Sequence, residues 1–162
     1  MFEYIDLKFN RSHEFLRDTS NSKDIVIDDS NDNLDVIVVP IFNEIAAGNP
    51  ILINNELQGA FYLPQEWIKS PKETFILKIK GDSMIKANIN NGDLVVIKKQ
   101  PTAINNEIVA VDIDGNATLK RIMAMGSNLI LVPENDEYEP IMLPVEEIRI
   151  IGVASGVIKY RN

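Results

Sequence analysis

The sequence predicts a mainly β fold, and three observations support this prediction. Short apolar runs recur along most of the 162-residue chain. Turn residues such as Asn90-Asn91-Gly92-Asp93 and Asp114-Gly115 separate these runs. No long segment repeats apolar residues at the spacing of an amphipathic helix. The length suits one domain with a sizeable core.

The predicted strands follow one another along the chain. In order, they cover residues 5–9, 36–42, 57–63, 75–79, 94–97, 107–113, 118–123, 129–132 and 148–160. The fourth alternates apolar residues with lysines and predicts a half-buried strand, whereas the fifth is continuously apolar and predicts burial on both faces. Helical turns are predicted at residues 12–17 and 64–68, and a tight hairpin at Asp114-Gly115.

Residues 1–40 differ in composition from the rest of the chain. They carry nine acidic and four basic residues, and residues 18–35 are rich in Asp, Asn and Ser. Such a segment buries too little apolar surface to offset its ordering entropy. The sequence therefore predicts an acidic, largely flexible arm over residues 1–40, without a helix-turn-helix, and a folded domain over residues 41–162.

Composition also limits the classes of function. The formal charge of −8 argues against a broad electrostatic grip on nucleic acid. The absence of cysteine excludes a thiol nucleophile and fits a reducing cytoplasm, and a single histidine argues against a structural metal site. No segment resembles a membrane span or a signal peptide. We therefore expect a cytoplasmic protein that needs no cofactor.

A glycine-led turn places Ser83 directly after a predicted strand. Gly81 breaks the apolar alternation and permits a backbone conformation that would strain other residues. A serine held at a strand end can expose its hydroxyl for nucleophilic attack. It can equally cap the short helix that follows. The turn alone leaves both interpretations open.

Lys120 is a candidate base for Ser83. The single histidine, His13, lies in the acidic arm, away from the predicted domain. Lys120 lies within a predicted strand, on the same face as Thr118 and Ile122. A free lysine is protonated at neutral pH, but burial lowers its pKa by several units. Spacing alone also allows an ordinary exposed strand lysine.

Three short segments in this order closely resemble the self-cleaving LexA-like peptidases of family S24, which also includes phage repressors and the UmuD mutagenesis protein. The segments are Ala46-Ala47-Gly48, Gly81-Asp82-Ser83-Met84 and Thr118-Leu119-Lys120-Arg121. Residues 91–94, 131–135 and 152–158 support the resemblance, which covers about residues 39–160. It implies a LexA/signal-peptidase-like fold of several coiled β-sheets.

The resemblance also implies a role for each matching residue. Ser83 is the expected nucleophile and Lys120 the general base, with Thr118 orienting the amine. The backbone N–H groups of Ser83 and Asp82 are the expected oxyanion donors. The expected cleavage loop covers residues 43–50. Within it, Ala47-Gly48 is the expected scissile bond, and Ile45 and Ala46 are the residues by which the active site is expected to recognise the loop.

The resemblance leaves two roles open. The first is a LexA-like repressor module of the SOS (DNA-damage) response that lacks its DNA-binding domain. The second is a UmuD-like processed subunit of an error-prone polymerase. The expected partners are the RecA–single-stranded DNA filament and a second copy of the chain, with a Y-family polymerase or a separate DNA-binding protein as further candidates. Residues 152–160 are the expected dimer edge, and we expect no direct DNA binding by this chain alone.

Overall fold

The computed structural model describes residues 3–9, 15–17, 35–42 and 57–161. Strands dominate this part of the chain, which confirms the mainly β prediction. They are β1 (Glu3–Phe9), β2 (Phe15–Arg17), β3 (Val36–Phe42), β4 (Leu57–Pro64), β5 (Thr74–Lys78), β6 (Leu94–Lys99), β7 (Ile108–Ile113), β8 (Asn116–Met125), β9 (Asn128–Val132), β10 (Ile141–Pro144) and β11 (Arg149–Arg161). Short 3₁₀ turns span Gln65–Trp67, Pro71–Glu73, Ile85–Ala87 and Val145–Glu147. Among the described residues, no helix is long and apolar enough to cross a membrane.

The strands form one continuous mixed sheet. Its order is β10-β9-β8-β7-β11-β6-β5-β3-β4, while β1 pairs with β11 and β2 pairs with β1. Most pairs are antiparallel, and the β3–β5 and β1–β11 pairs are parallel. The long β11 lies in the middle of this order. It joins β10-β9-β8-β7 to β6-β5-β3-β4 because it pairs with β7 near its start and with β6 further along.

The hairpin between β7 and β8 confirms the turn prediction. Asp114 and Gly115 have φ angles of 49° and 85°. Positive φ at both central residues matches the tight turn whose twist suits a two-residue hairpin. This turn fixes the register that pairs Val109 with Lys120. It therefore sets where Lys120 lies in the sheet.

Three predictions about individual elements are wrong. Phe15–Arg17 forms a strand rather than a helical turn, since it pairs with β1 through backbone hydrogen bonds. Strand β5 is buried on both faces rather than one. Residues 152–160 do not form a free edge, because β11 lies between β7 and β6 and its last residues pair with β1. In each case tertiary pairing decides what local pattern alone does not.

One apolar cluster lies directly beneath the Ser83 turn and β8. Met84 and Leu119, each next to a predicted site residue, are 2% and 5% exposed and belong to the same cluster. Phe42 and Phe75 also belong to it and meet edge to face, with ring centroids 6.0 Å apart. Burial of these neighbours anchors both segments to one core.

Candidate active site

The Ser83 turn is fixed by a neighbouring turn at residues 90–93. Ile79 N–H donates to the Asp93 carbonyl at 2.8 Å, and Gly81 N–H donates to Asn91 Oδ1 at 2.9 Å. Gly81 has a φ of 94°, a conformation that a residue with a Cβ rarely adopts. The predicted backbone break is therefore present, and two side-by-side turns hold it in place.

Ser83 does not cap the short helix that follows. The 3₁₀ turn Ile85–Ala87 has Met84 at its N-cap position and no side-chain capping hydrogen bond. Ser83 Oγ instead lies 3.1 Å from Lys120 Nζ. The capping interpretation is therefore wrong, and the structure brings the predicted nucleophile and base into contact.

Lys120 is buried, so the interpretation as an exposed strand lysine is also wrong. Only 9% of the residue is exposed. Besides Ser83 Oγ, its Nζ lies 2.8 Å from Thr118 Oγ1 and 3.0 Å from the Leu119 carbonyl. A neutral amine has two N–H donors and one lone pair. Two N–H groups can donate to Thr118 and Leu119 while the lone pair faces the Ser83 hydroxyl.

The surroundings of Lys120 favour its neutral form. Burial lowers the pKa of the Lys120 amine from its usual value of 10.5, because desolvation penalises the ammonium ion. Within the described part of the chain, no carboxylate forms an ion pair with this amine. The site therefore contains a base that can accept a proton at a lower pH than a free lysine can.

The backbone of the Ser83 turn is bound on its carbonyl side. Asn135 Nδ2 donates to the Asp82 carbonyl at 2.9 Å, and Glu134 N–H donates to the Ser83 carbonyl at 2.8 Å. The N–H groups of Asp82 and Ser83 have no acceptor among the described residues. The role of these two N–H groups as oxyanion donors stays a prediction.

The sequence predicts no role for the loop at residues 134–138. Tyr138 Oη donates to Asp82 Oδ1 at 2.6 Å, and the Arg121 guanidinium contacts the Glu134 carboxylate. A polar loop has no periodicity from which such contacts can be predicted. The only signal was the Pro133-Glu134-Asn135 segment, which contributed to the family resemblance.

The predicted cleavage residues Ile45, Ala46, Ala47 and Gly48 lie outside the described residues, so their placement stays a prediction. No group of three or more potential metal ligands occurs among the residues that the structure describes. The described site therefore consists of the hydroxyl, the amine, the oxygen atoms around the amine and the turn that holds the hydroxyl.

Known proteins share this region of the chain. A family model described as Peptidase S24-like matches residues 40–155. The LexA repressor of Clostridium botulinum (strain Hall) is 42% identical over 146 residues, which cover 90% of this chain and 71% of that repressor. The LexA repressor of Clostridium perfringens (strain 13) is 38% identical over 132 residues, covering 82% of this chain and 64% of that protein. The family match contains both Ser83 and Lys120.

Proposed function

Because the chain belongs to the LexA-like peptidase S24 family, we propose that it is a cytoplasmic serine peptidase that cuts its own Ala47–Gly48 bond. The observation that supports this most strongly is the 3.1 Å approach of Lys120 Nζ to Ser83 Oγ, with Lys120 only 9% exposed. An activated nucleophile needs a base within hydrogen-bonding distance, and a lysine can act as that base only when it is neutral.

The reaction begins with neutral Lys120. Its amine accepts the Ser83 proton while Oγ attacks the Ala47 carbonyl carbon, and the carbonyl oxygen becomes an oxyanion facing the Ser83 and Asp82 N–H groups. The ammonium then returns the proton to the Gly48 nitrogen as the Ala47–Gly48 bond breaks. Water, deprotonated by the same amine, hydrolyses the acyl-enzyme and frees Ser83.

Thr118 and Leu119 orient the amine for this transfer. The Leu119 carbonyl can only accept a hydrogen bond, and the Thr118 hydroxyl can accept one as well. At 3.0 and 2.8 Å they occupy the two N–H groups of neutral Lys120. The remaining lone pair is then directed at Ser83. Thr118 is thus a positioning residue in this scheme.

The family resemblance extends the proposal to regulation and partners. The cleavage loop would exchange between exposed and docked positions, and the RecA–single-stranded DNA filament would favour the docked one. Cleavage would thereby inactivate a dimeric repressor module of the SOS response. The UmuD-like alternative uses the same chemistry and differs in the partner of the trimmed product. The similarity to LexA repressors favours the first role.

Intact-mass analysis of the purified chain tests the proposal. Incubation at alkaline pH, or with an activated RecA filament, should yield fragments 1–47 and 48–162. Ser83→Ala and Lys120→Ala should abolish both reactions because either change removes one half of the proton transfer. Ser155→Ala and Lys78→Ala are matched controls of the same residue types outside the site, and both should cut at the normal rate. Cleavage after Ala47 that persists in Ser83→Ala would refute the proposal.

A further inference from the structure

The Ser83 turn is bound on its carbonyl side by the loop at residues 134–138, which we call the clamp loop. We infer that Asn135 is a positioning residue that directs the Ser83 N–H toward the oxyanion. This inference rests on the proposed function, since only that reaction forms an oxyanion at this place. It assigns a role to a buried polar side chain that the proton transfer itself does not use.

Both ends of the Asn135 amide are occupied. Its Nδ2 donates to the Asp82 carbonyl at 2.9 Å, and its Oδ1 accepts from Glu137 N–H at 3.0 Å. The residue is only 6% exposed. A buried amide that satisfies both its donor and its acceptor in this way has a single favoured orientation. The donor end is therefore held against the turn.

The bond to the Asp82 carbonyl sets the direction of the Ser83 N–H. These two groups belong to the same peptide unit, which is planar and trans, so they point in opposite directions. The carbonyl that faces Asn135 consequently turns the Ser83 N–H away from the clamp loop. The only other donor to this carbonyl among the described residues is Ile85 N–H, at 3.4 Å. Asn135 therefore provides the shorter of the two restraints.

The clamp loop joins the two halves of the site. Glu134 N–H donates to the Ser83 carbonyl at 2.8 Å, and Lys86 N–H donates to the Glu134 carbonyl at 2.7 Å. The Glu134 side chain pairs with Arg121, the residue that follows Lys120 on β8. One loop thus contacts both the nucleophile turn and the strand that carries the base. These backbone and ion-pair contacts do not involve the Asn135 side chain.

The Asp82 side chain is held by the same loop. Its carboxylate accepts a hydrogen bond from Tyr138 Oη at 2.6 Å, and this bond is the largest cause that raises the pKa of Tyr138. The raised pKa keeps the Tyr138 hydroxyl protonated to a higher pH than that of a free tyrosine, so this hydrogen bond persists further into the alkaline range.

The test is the pH dependence of the self-cleavage rate. Asn135→Ala should lower the self-cleavage rate on the alkaline plateau by about 10- to 100-fold. This loss is smaller than the loss of about 100- to 1,000-fold that follows when an oxyanion donor itself is removed. The midpoint of the profile should not move, because Asn135 makes no contact with Lys120 among the described hydrogen bonds. Asn135→Leu keeps the branched shape without adding a charge but removes the amide donor, and it should lose a similar factor. It also provides a readout if the alanine variant folds poorly.

Thr74→Val is the matched control. Thr74 is also buried, and its hydroxyl donates to the Ser70 carbonyl at 2.8 Å, at the end of β5 away from Ser83. Thr74→Val should lower the melting temperature without lowering the self-cleavage rate, whereas both Asn135 variants should lower that rate by more than any change in melting temperature explains.

A normal plateau rate in Asn135→Ala overturns the inference alone. A lower plateau with a shifted midpoint also overturns it, since that result indicates a loosened lysine pocket. Failure of the unsubstituted chain to cut in a Ser83-dependent way overturns the proposed function and this inference together.

Discussion

The proposed chemistry depends on a single residue, Lys120, whose amine is costly to bury in its charged form. Lys120 is taken out of water without a compensating negative charge among the described ion pairs. Three oxygen neighbours solvate it in place of water. They can satisfy the neutral amine fully, but they replace only part of the hydration of an ammonium ion. Folding therefore lowers the pKa of Lys120 and shifts the amine toward its neutral form.

This burial predicts how stability changes with pH. The pKa of Lys120 is lowered from 10.5 in the folded state, so between the lowered value and 10.5 the unfolded chain binds more protons. Replacing Lys120 by Met removes this titration. In a Ser83→Ala background, which prevents cleavage, the unfolding free energy of the Lys120 protein should rise with pH relative to Lys120→Met. The slope should reach at most about 1.4 kcal/mol per pH unit.

Urea unfolding of the two proteins at a series of pH values measures this difference. Lys78→Met removes the positive charge of an exposed lysine at the end of β5 and provides the control. A difference for Lys120→Met that is flat with pH would mean that the Lys120 amine is not desolvated. A difference in unfolding free energy that falls with pH would indicate that a negatively charged group stabilises the Lys120 ammonium ion.

Sequence reasoning identified the residues of the pair but not their environment. The strand period placed Lys120 on the same face as Thr118, and the two side chains are indeed in contact. Periodicity cannot tell whether that face is covered, because the covering turn comes from residues 37 positions away. The strand pattern makes Lys120 a candidate base for Ser83, and the family resemblance strengthens that pairing. Asn135 and Tyr138 lay in a polar loop without any periodic signal.

At the scale of elements, the Ser83 turn depends on Gly81. Its φ of 94° strains any residue with a Cβ, although a Cβ built there would meet no atom within 4 Å. Gly81→Ala should therefore cost about 1 kcal/mol through backbone strain, without a steric clash. If the chain relieves that strain by shifting φ, Ser83 moves relative to Lys120. We expect self-cleavage to fall at least about tenfold.

Gly126→Ala is the matched control for this prediction. Gly126 also has a positive φ, 63°, and a Cβ built there would meet no atom within 4 Å, but it lies in the turn between β8 and β9. The two variants should lose similar stability in thermal melts, and only Gly81→Ala should lose cleavage rate in a time course. Equal loss of rate in both would mean that general destabilisation, rather than the geometry of the Ser83 turn, controls cleavage.

The elements also show where local patterns succeed. Asp114-Gly115 was predicted correctly because the turn requires positive φ at both positions, and few residues other than Gly, Asn and Asp allow it. The burial of β5 on both faces was not predicted. Ile76 packs into one apolar cluster, whereas Phe75 and Leu77 pack into another on the opposite face. Sequence alternation reports the polarity of each face, whereas burial depends on which strands and loops pack on it.

At the scale of the whole molecule, one sheet brings the site together. Ser83 follows β5 and Lys120 lies on β8, and β6, β11 and β7 separate these two strands in the sheet. The sheet must therefore curve for the two side chains to meet at 3.1 Å. The apolar cluster that contains Met84 and Leu119 fills the inside of that curve. The contact between Ser83 and Lys120 therefore requires β5, β6, β11, β7 and β8 to be assembled.

The most direct measurement of the central claim is a titration of the Lys120 amine by NMR. The Ser83→Ala protein, labelled with carbon-13 at lysine Cε and assigned with Lys120→Arg, would be followed across alkaline pH. We expect a Lys120 midpoint clearly below 10.5 in the folded protein and a return to about 10.5 in urea. A midpoint at or above 10.5 in the folded protein would contradict a lysine that is neutral because it is buried beside Ser83.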